Sequence, residues 1–515
     1  MNQAITHMIR REVFELSTGH SKNGLECQQR ASGMVHAIIH PILESCFDQM
    51  ELGKRRLVID KLEIDLGVFD AKNLEKELMN RLRDMLEKEL STCLQKAREA
   101  KTTNARLMIT DGAHLVTTTA AGSTTMAGLQ QSAASNAQLL DAEETFYILL
   151  YWFLQHGRLP WWLEPMQQQA PINELFDIQF INKLQEEEKG AFRELLRSSP
   201  AAGIRLVNHF STEWMVQFLQ HIDIPVSKTV AQFQIILPVL KAFTTVQKLF
   251  HQHFWLEAIS SGSVNITLVI EKTTRGYNDT GVALARALHQ TCKERPETVW
   301  AAWSEQIEKY LAHQQPYDDF RKQTLAEQPP VHTPHQQPLP AAANEVTEEE
   351  GLFVSAAGLV ILHPFLTELF TSTGLWNNHQ WQDENSSFRA VQLLSQLAYG
   401  QTDLPEYQLT FIKILLGMDI ETPLPAQEPL NDAETTACID LLQALISHWT
   451  ALRNTGAAAV QEAFLQRHGK LNHHKKEYHV TVEHLAQDVL LSRLPWGIGM
   501  IKLPWMQNML HVNWL

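Results

Sequence analysis

Leucine, proline and tryptophan occur in that order three times in this chain, as Leu159-Pro160-Trp161, Leu494-Pro495-Trp496 and Leu503-Pro504-Trp505. With 21 prolines and 13 tryptophans in 515 residues, random order gives roughly 0.5 Pro-Trp pairs. Proline fixes its own φ and pushes the residue before it into extended geometry, so the following indole leaves the chain on a rigid vector. A buried indole contributes a large apolar area but needs an acceptor for its one N–H. The last two copies lead into Met509-Leu-His-Val-Asn-Trp514-Leu515. Apolar chain ends fray or associate unless tied down, so this one is expected to dock on its own domain or on a partner.

A chain of 515 residues exceeds what one core serves and is expected to divide into about three domains. Hydrophobic residues at 44% and charged residues at 20% are ordinary for a folded protein. The net charge of −15 and the lack of a basic stripe argue against nucleic-acid and anionic-membrane binding. Cys27, Cys46, Cys93, Cys292 and Cys438 are scattered without Cys-x-x-Cys spacing, which fits reduced, buried thiols. The opening Met-Asn-Gln-Ala-Ile-Thr-His lacks signal-peptide order, and the most apolar run, Phe146–Leu154, is shorter than the ~20 residues that span a bilayer. A cytoplasmic protein without membrane insertion is expected.

Along the chain, 7–16 has strand composition and 24–50 reads as a helix with Met34, Ile38, Ile42 and Phe47 near one face. Over 56–69, Leu62, Ile64 and Leu66 alternate with Lys61, Glu63 and Asp65, the period of a half-buried strand ended by Gly67. From Asp70, a candidate N-cap, a helix runs to about Ala100, with Leu74, Leu78, Leu82, Met85, Leu86, Leu90 and Cys93 as its apolar stripe. Residues 1–100 thus form a β-α-β-α module. Residues 101–140, rich in Thr, Ala and Ser, read as a flexible linker. Residues 141–312 read as short stacked helices, including 191–197, 213–221, 230–250 and 297–311. A Gln-, His- and Pro-rich second linker covers 313–350. The last domain, 351–515, carries helical blocks at 359–366, 389–397, 409–416 and 437–449. Short strands follow at 478–482, 499–503 and 510–514. The expected fold class is mainly α and multi-domain, with small β elements near both ends.

Residues that could carry chemistry are few. There is no P-loop, since Gly469-Lys470 lacks the earlier glycine and the following Ser or Thr, no Gly-x-Ser-x-Gly elbow and no kinase signature. His473, His474, His479 and His484 form the densest histidine group. Adjacent histidines point apart on a strand and about 100° apart on a helix, so a surface role is expected and no metal site is assigned. Glu63 and Asp65 share a strand face without anything to desolvate them, which describes a wet face rather than a carboxylate dyad. No catalytic residue and no cofactor are expected.

The opening His7-Met-Ile-Arg-Arg-Glu-Val-Phe-Glu-Leu16 with Val58-Ile-Asp-Lys-Leu-Glu-Ile-Asp-Leu-Gly67 resembles the N-terminal signature of contractile injection system tape measure proteins. The same is true of Gly157-Arg-Leu-Pro-Trp-Trp162 and of Gly358-Leu-Val-Ile-Leu-His-Pro-Phe-Leu366 leading to Gly374-Leu375. Arg389-Ala-Val-Gln-Leu-Leu394, Glu406, Lys413-Ile-Leu-Leu-Gly417 and the tail from Leu494 through Ile501-Lys-Leu-Pro-Trp-Met506 to Val512-Asn-Trp514 continue it in order. The resemblance implies a structural role in phage-tail-like contractile particles, as the tape that sets inner-tube length. Implied partners are inner-tube, baseplate or cap proteins, and the implied location is the cytoplasm and then the assembled particle. A wholly helical chain of this length would span about 770 Å, but prolines, glycines and Trp-rich blocks favour folded domains. A folded assembly or loading adaptor of the same particle, acting on baseplate or cargo and not as a stretched ruler, is therefore the alternative. Leu159, Pro160, Trp161, Trp162, Pro364, Phe365, Pro495, Trp496, Pro504, Trp505 and Trp514 are the candidate structural or interaction residues.

Overall fold

A computed structural model describes residues 7–9, 12–15, 32–50, 52–53, 55–69, 74–102, 106–109, 115–118, 137–160, 162–163, 171–275, 278–295, 298–321, 351–383, 385–452, 455–474 and 477–514. It is mainly helical, with short strands near both ends. The described residues fall into two compact units, one within Met1–Leu149 and Trp161–Glu164, the other within Leu150–Pro160 and Pro165–Leu515.

The first unit is organised by the helix Leu74–Thr102. Its Leu78, Leu82, Leu86 and Leu90 recur every four residues and so lie on one face. That face packs on Met34, Ile39, Ile42 and Cys46 of a helical segment that runs as a π turn over Val35–Ile39 and as α-helix over His40–Asp48. The strand expected over 56–69 is a ladder only at Arg56–Ile59. Beyond it Leu62, Ile64 and Leu66 turn inward and Lys61, Glu63 and Asp65 outward, as the alternation predicts. No strand pairs with that stretch among the described residues. Arg81 holds its end instead, donating from Nη1 to Leu66 O (3.3 Å) and Val68 O (3.0 Å) with its guanidinium 4.9 Å from the Phe69 ring centre. Likewise 7–9 and 12–15 carry no ladder; His7 bonds Asp48 at 2.7 Å and Glu12 bonds His40 at 2.9 Å.

The stretch 101–140 is not wholly without structure. Arg106–Ile109 pairs antiparallel with Leu115–Thr118, and Ala137–Leu140 supplies the antiparallel partner of Arg56–Ile59. Gln138, Leu139 and Leu140 are buried, so burial of this short apolar end offsets its ordering cost.

In the second unit, short helices follow one another, among them Glu186–Ser198, Pro200–His209, Thr212–His221, Gln247–Ser261 and Ile266–Thr273. Three breaks are written in the sequence as N-caps. Ser199, Ser211 and Asn265 side chains accept from the N–H groups of Ala202, Trp214 and Leu268. The single helix expected over 230–250 is two, Ser227–Leu240 and Gln247–Ser261. Pro238 near the end of the first removes a donor and marks where the helix fails. The last of the series, Thr298–Arg321, runs past the expected boundary at 312.

After residue 350 the strand Leu352–Val354 leads to a 3₁₀ turn, Ala357–Leu362, and the helix His363–Ser372. The helices Ser386–Tyr399, Thr410–Leu415 and Asp432–His448 follow, close to the expected blocks. A five-stranded sheet closes the fold in the order Met500–Ile501, Leu510–Asn513, Glu477–Val482, Gly469–His474, Leu352–Val354. All neighbours are antiparallel except Leu510–Asn513, which runs parallel to Glu477–Val482. Leu471, Val480, Val482, Ile501 and Leu510 face a core that includes every residue of the turn Ala357–Leu362.

That turn passes so close to Phe464 that a Cβ on Gly358 would sit 1.6 Å from the Phe464 carbonyl oxygen. Gly358→Ala is expected to force the backbones apart and cost about 1–3 kcal/mol or more. Gly456→Ala, where nothing lies within 4 Å, should leave stability nearly unchanged. Thermal unfolding of the two variants beside the parent checks this; equal melting temperatures would contradict the close approach.

Candidate functional site

Trp496, Trp505 and Trp514, in the second unit, are tied down by their N–H groups. Trp496 donates to Ile361 O at 3.0 Å, and its ring lies edge-on to Phe365, 5.2 Å between centres. Trp505 donates to Leu415 O at 2.8 Å among Phe370, Trp376 and Trp381, all with ring centres within 5.3 Å. Trp514 is fully buried and donates to Asp488 Oδ2 at 3.2 Å, with the Arg467 guanidinium 5.6 Å from its ring centre; Asp488 is also ion-paired to Arg467. Pro364, Pro495 and Pro504 are exposed and act on the backbone path, Pro364 in the first turn of its helix. In the earlier copy Leu159 and Pro160 are buried, and Trp162 is half-buried with the Arg56 guanidinium 5.9 Å from its ring centre. Trp161 lies outside the described residues.

The densest polar constellation is elsewhere, inside the second unit. Glu406 begins a 3₁₀ turn, Glu406–Gln408, and Lys413 lies two helical turns on in Thr410–Leu415. Arg205, on the helix Pro200–His209, comes from about 200 residues earlier. All three side chains are buried, at 0–1% exposure. Lys413 Nζ donates to Glu406 Oε1 at 2.6 Å, and Arg205 Nε reaches both carboxylate oxygens at 3.2 Å. His209 Nε2 stands 3.7 Å from Glu406 Oε2.

One carboxylate cannot neutralise two cations, and the surplus donors go to backbone carbonyls. Arg205 reaches Leu154 O (3.0 Å), Gln155 O (2.5 Å) and Glu421 O (2.5 Å). Lys413 reaches Ile420 O (3.0 Å) and Thr422 O (2.7 Å). Asn208 donates to Leu424 O at 3.0 Å, and Gln252 accepts from Ala426 N at 2.6 Å. Residues 420–426 have no regular secondary structure, so side chains of three helices take the place of a ladder for their backbone groups. A second clasp continues the loop. Arg389 pairs with Glu434, with Nε to Oε1 at 2.8 Å, and donates to Pro429 O at 2.9 Å and to Glu428 O.

Electrostatics favour the ionised cluster. Burial alone would raise the Glu406 carboxyl, but Lys413, His209 and Arg205 outweigh it and hold it down at about 2. Burial pulls the Lys413 ammonium below its ordinary value against the attraction of Glu406. The carboxylate meets both the Arg205 guanidinium and the Lys413 ammonium directly, which favours its ionised form. At the rim, burial raises Glu421 and is outweighed by His156, 2.8 Å away, with Arg158 and Arg205.

The backbone is shaped to this cluster at Gly157. Its φ is +71°, which L side chains rarely adopt, and a Cβ there would lie 2.1 Å from Glu406 Oε1 and 2.7 Å from Arg205 Nε. Gly157 and the pair Glu406 and Lys413 belong to separate quoted motifs that fold into one place.

A family description then accounts for nearly the whole chain: contractile injection system tape measure protein, matching residues 6–514. The chain belongs to that family. No curated protein and no solved structure matches it. Tape measure proteins form a structural family rather than an enzyme family. Glu406 has both oxygens engaged and is sealed from solvent, so its carboxylate is held as part of the core. Glu63 and Asp65, considered as a dyad, are exposed, and Glu63 pairs with Lys61. Among the described residues, metal-ligating side chains gather at Glu477, His479 and His511. No helix among those residues is long and apolar enough to cross a membrane.

Arg205, Asn208 and Gln252 went unnoticed in the sequence, as nothing local distinguishes a buried arginine from a surface one. The one available signal was a pair, Glu406 and Lys413, seven residues apart in an apolar stretch.

Removing one partner of a buried ion pair leaves the other uncompensated, so Glu406→Gln is expected to cost about 3–5 kcal/mol. With a folded pKa held below the usual 4.5 at about 2, the carboxylate contributes stability that is full above pH 4.5 and lost as pH falls toward 2. The melting temperature of the parent should therefore drop more steeply than that of Glu406→Gln across that window. Parallel slopes would contradict the ionised cluster.

Proposed function

We propose that the chain serves tube-length control in contractile-particle assembly as a folded body, an assembly adaptor that docks on inner-tube, baseplate or cap proteins. The observation that carries this reading is the Arg205–Glu406–Lys413 cluster, which joins parts of the chain about 200 residues apart in one sealed core. Threading the chain out as a continuous ruler would break this cluster and expose the indoles anchored at Ile361, Leu415 and Asp488.

The family description itself favours a second reading, in which the chain is a physical ruler stretched along the tube. Internal deletions separate the two. Removing about 20 residues from within 322–350, which lies outside the described residues, should leave full-length particles with unchanged tube length in electron micrographs. A ruler would shorten the tube by roughly 30 Å if that segment is helical. Tubes that shorten in step with successive deletions would overturn the folded-body reading. A chain found at fixed stoichiometry and stretched along the lumen of purified particles would do the same.

A further inference from the structure

Residues two apart on a strand share a face. In Glu477–Val482, Val480 and Val482 are in the core, which leaves Glu477 and His479 on the outer face. The closing strand Leu510–Asn513 runs parallel beside it with His511 opposite His479, while Leu510 is buried. Three side chains thus meet on the outer face of the sheet. The two imidazoles stack with centres 4.4 Å apart and planes 7° apart, and His511 Nε2 lies 3.0 Å from Glu477 Oε2. One ligand atom from each residue lies within 4.8 Å of the others.

We propose that Glu477, His479 and His511 form a binding site for a divalent transition-metal ion of the zinc class. Two imidazoles and one carboxylate are donors that suit zinc better than calcium or magnesium, which prefer all-oxygen sets. Around a tetrahedral ion with bonds near 2.0–2.2 Å, ligand atoms stand roughly 3.3–3.6 Å apart. Separations of up to 4.8 Å close to this by rotating two rings and a carboxylate on backbones whose register the sheet already fixes. Three protein ligands leave a fourth position for water or for a donor from another protein. A bound ion would cross-link the closing strand to the hairpin of Gly469–His474 and Glu477–Val482, stabilising the end of the chain that carries Trp514.

The test uses the full chain, freed of metal by chelation, with zinc added in calorimetry and cobalt(II) followed by visible absorption. The parent should bind one equivalent of zinc, show the intense cobalt bands of low coordination number, and melt at a higher temperature with zinc than without. His479→Ala and His511→Ala should each weaken binding by about tenfold or more and abolish the thermal shift. His484→Ala, an exposed histidine outside the group, should leave both unchanged. Glu477 is exposed, so Glu477→Gln should keep the fold and still weaken zinc, which decides the matter if a histidine variant fails to fold. Absence of zinc binding, or binding that these variants leave unchanged, overturns the site.

Discussion

A carboxylate taken out of water holds the second unit together. Glu406 is at 0% exposure, and it is tolerable there because Arg205 and Lys413 meet it directly. The surplus positive charge is spread over backbone carbonyls of Leu154, Gln155, Ile420, Glu421 and Thr422. Those carbonyls belong to a helix end and to a loop without secondary structure, both of which must find donors somewhere. The arrangement is mutual. Cations without the carbonyls would be over-charged, and carbonyls without the cations would be orphaned.

The tryptophans follow the same rule on a smaller scale. Each of Trp496, Trp505 and Trp514 brings a large apolar surface and one obligatory donor, and each donor finds an oxygen in the same unit. The exposed prolines before Trp496 and Trp505 narrow the backbone path, lowering the entropy lost when the indole is placed. A member of the contractile injection system tape measure family thus has a core in which these indole donors and the Glu406 carboxylate find their partners within the second unit. That combination motivates a body that docks over one that unwinds.

Much of the fold was legible. The stripe Leu78, Leu82, Leu86, Leu90 is buried on one side of its helix, the helical blocks after residue 386 stand close to where periodicity put them, and the closing strands do too. Legibility failed where a segment's partner is distant. The alternation over 61–66 correctly gave which side chains turn inward, but extended residues form a ladder only if another strand arrives, and Arg81 arrived instead. The Thr- and Ala-rich 101–140 looked unable to fold, yet its last four residues are ordered by pairing with Arg56–Ile59. Glu406 and Lys413 stood in the quoted motifs, whereas Arg205, the third member of the cluster, carried no local mark.

By itself the sequence determined a mainly helical chain with small β elements near both ends, that indoles after proline would have a rigid approach and need an acceptor for the N–H, and which family's signature the chain carries. Each of these depends on neighbours within a few residues or on the order of motifs. Only the tertiary structure decided that Gly157 lies against Glu406, that Arg205 reaches the same carboxylate, and that His511 stands beside His479. Those juxtapositions come from loop closure over tens to hundreds of residues and from burial that selects one register. No short stretch of chain encodes either.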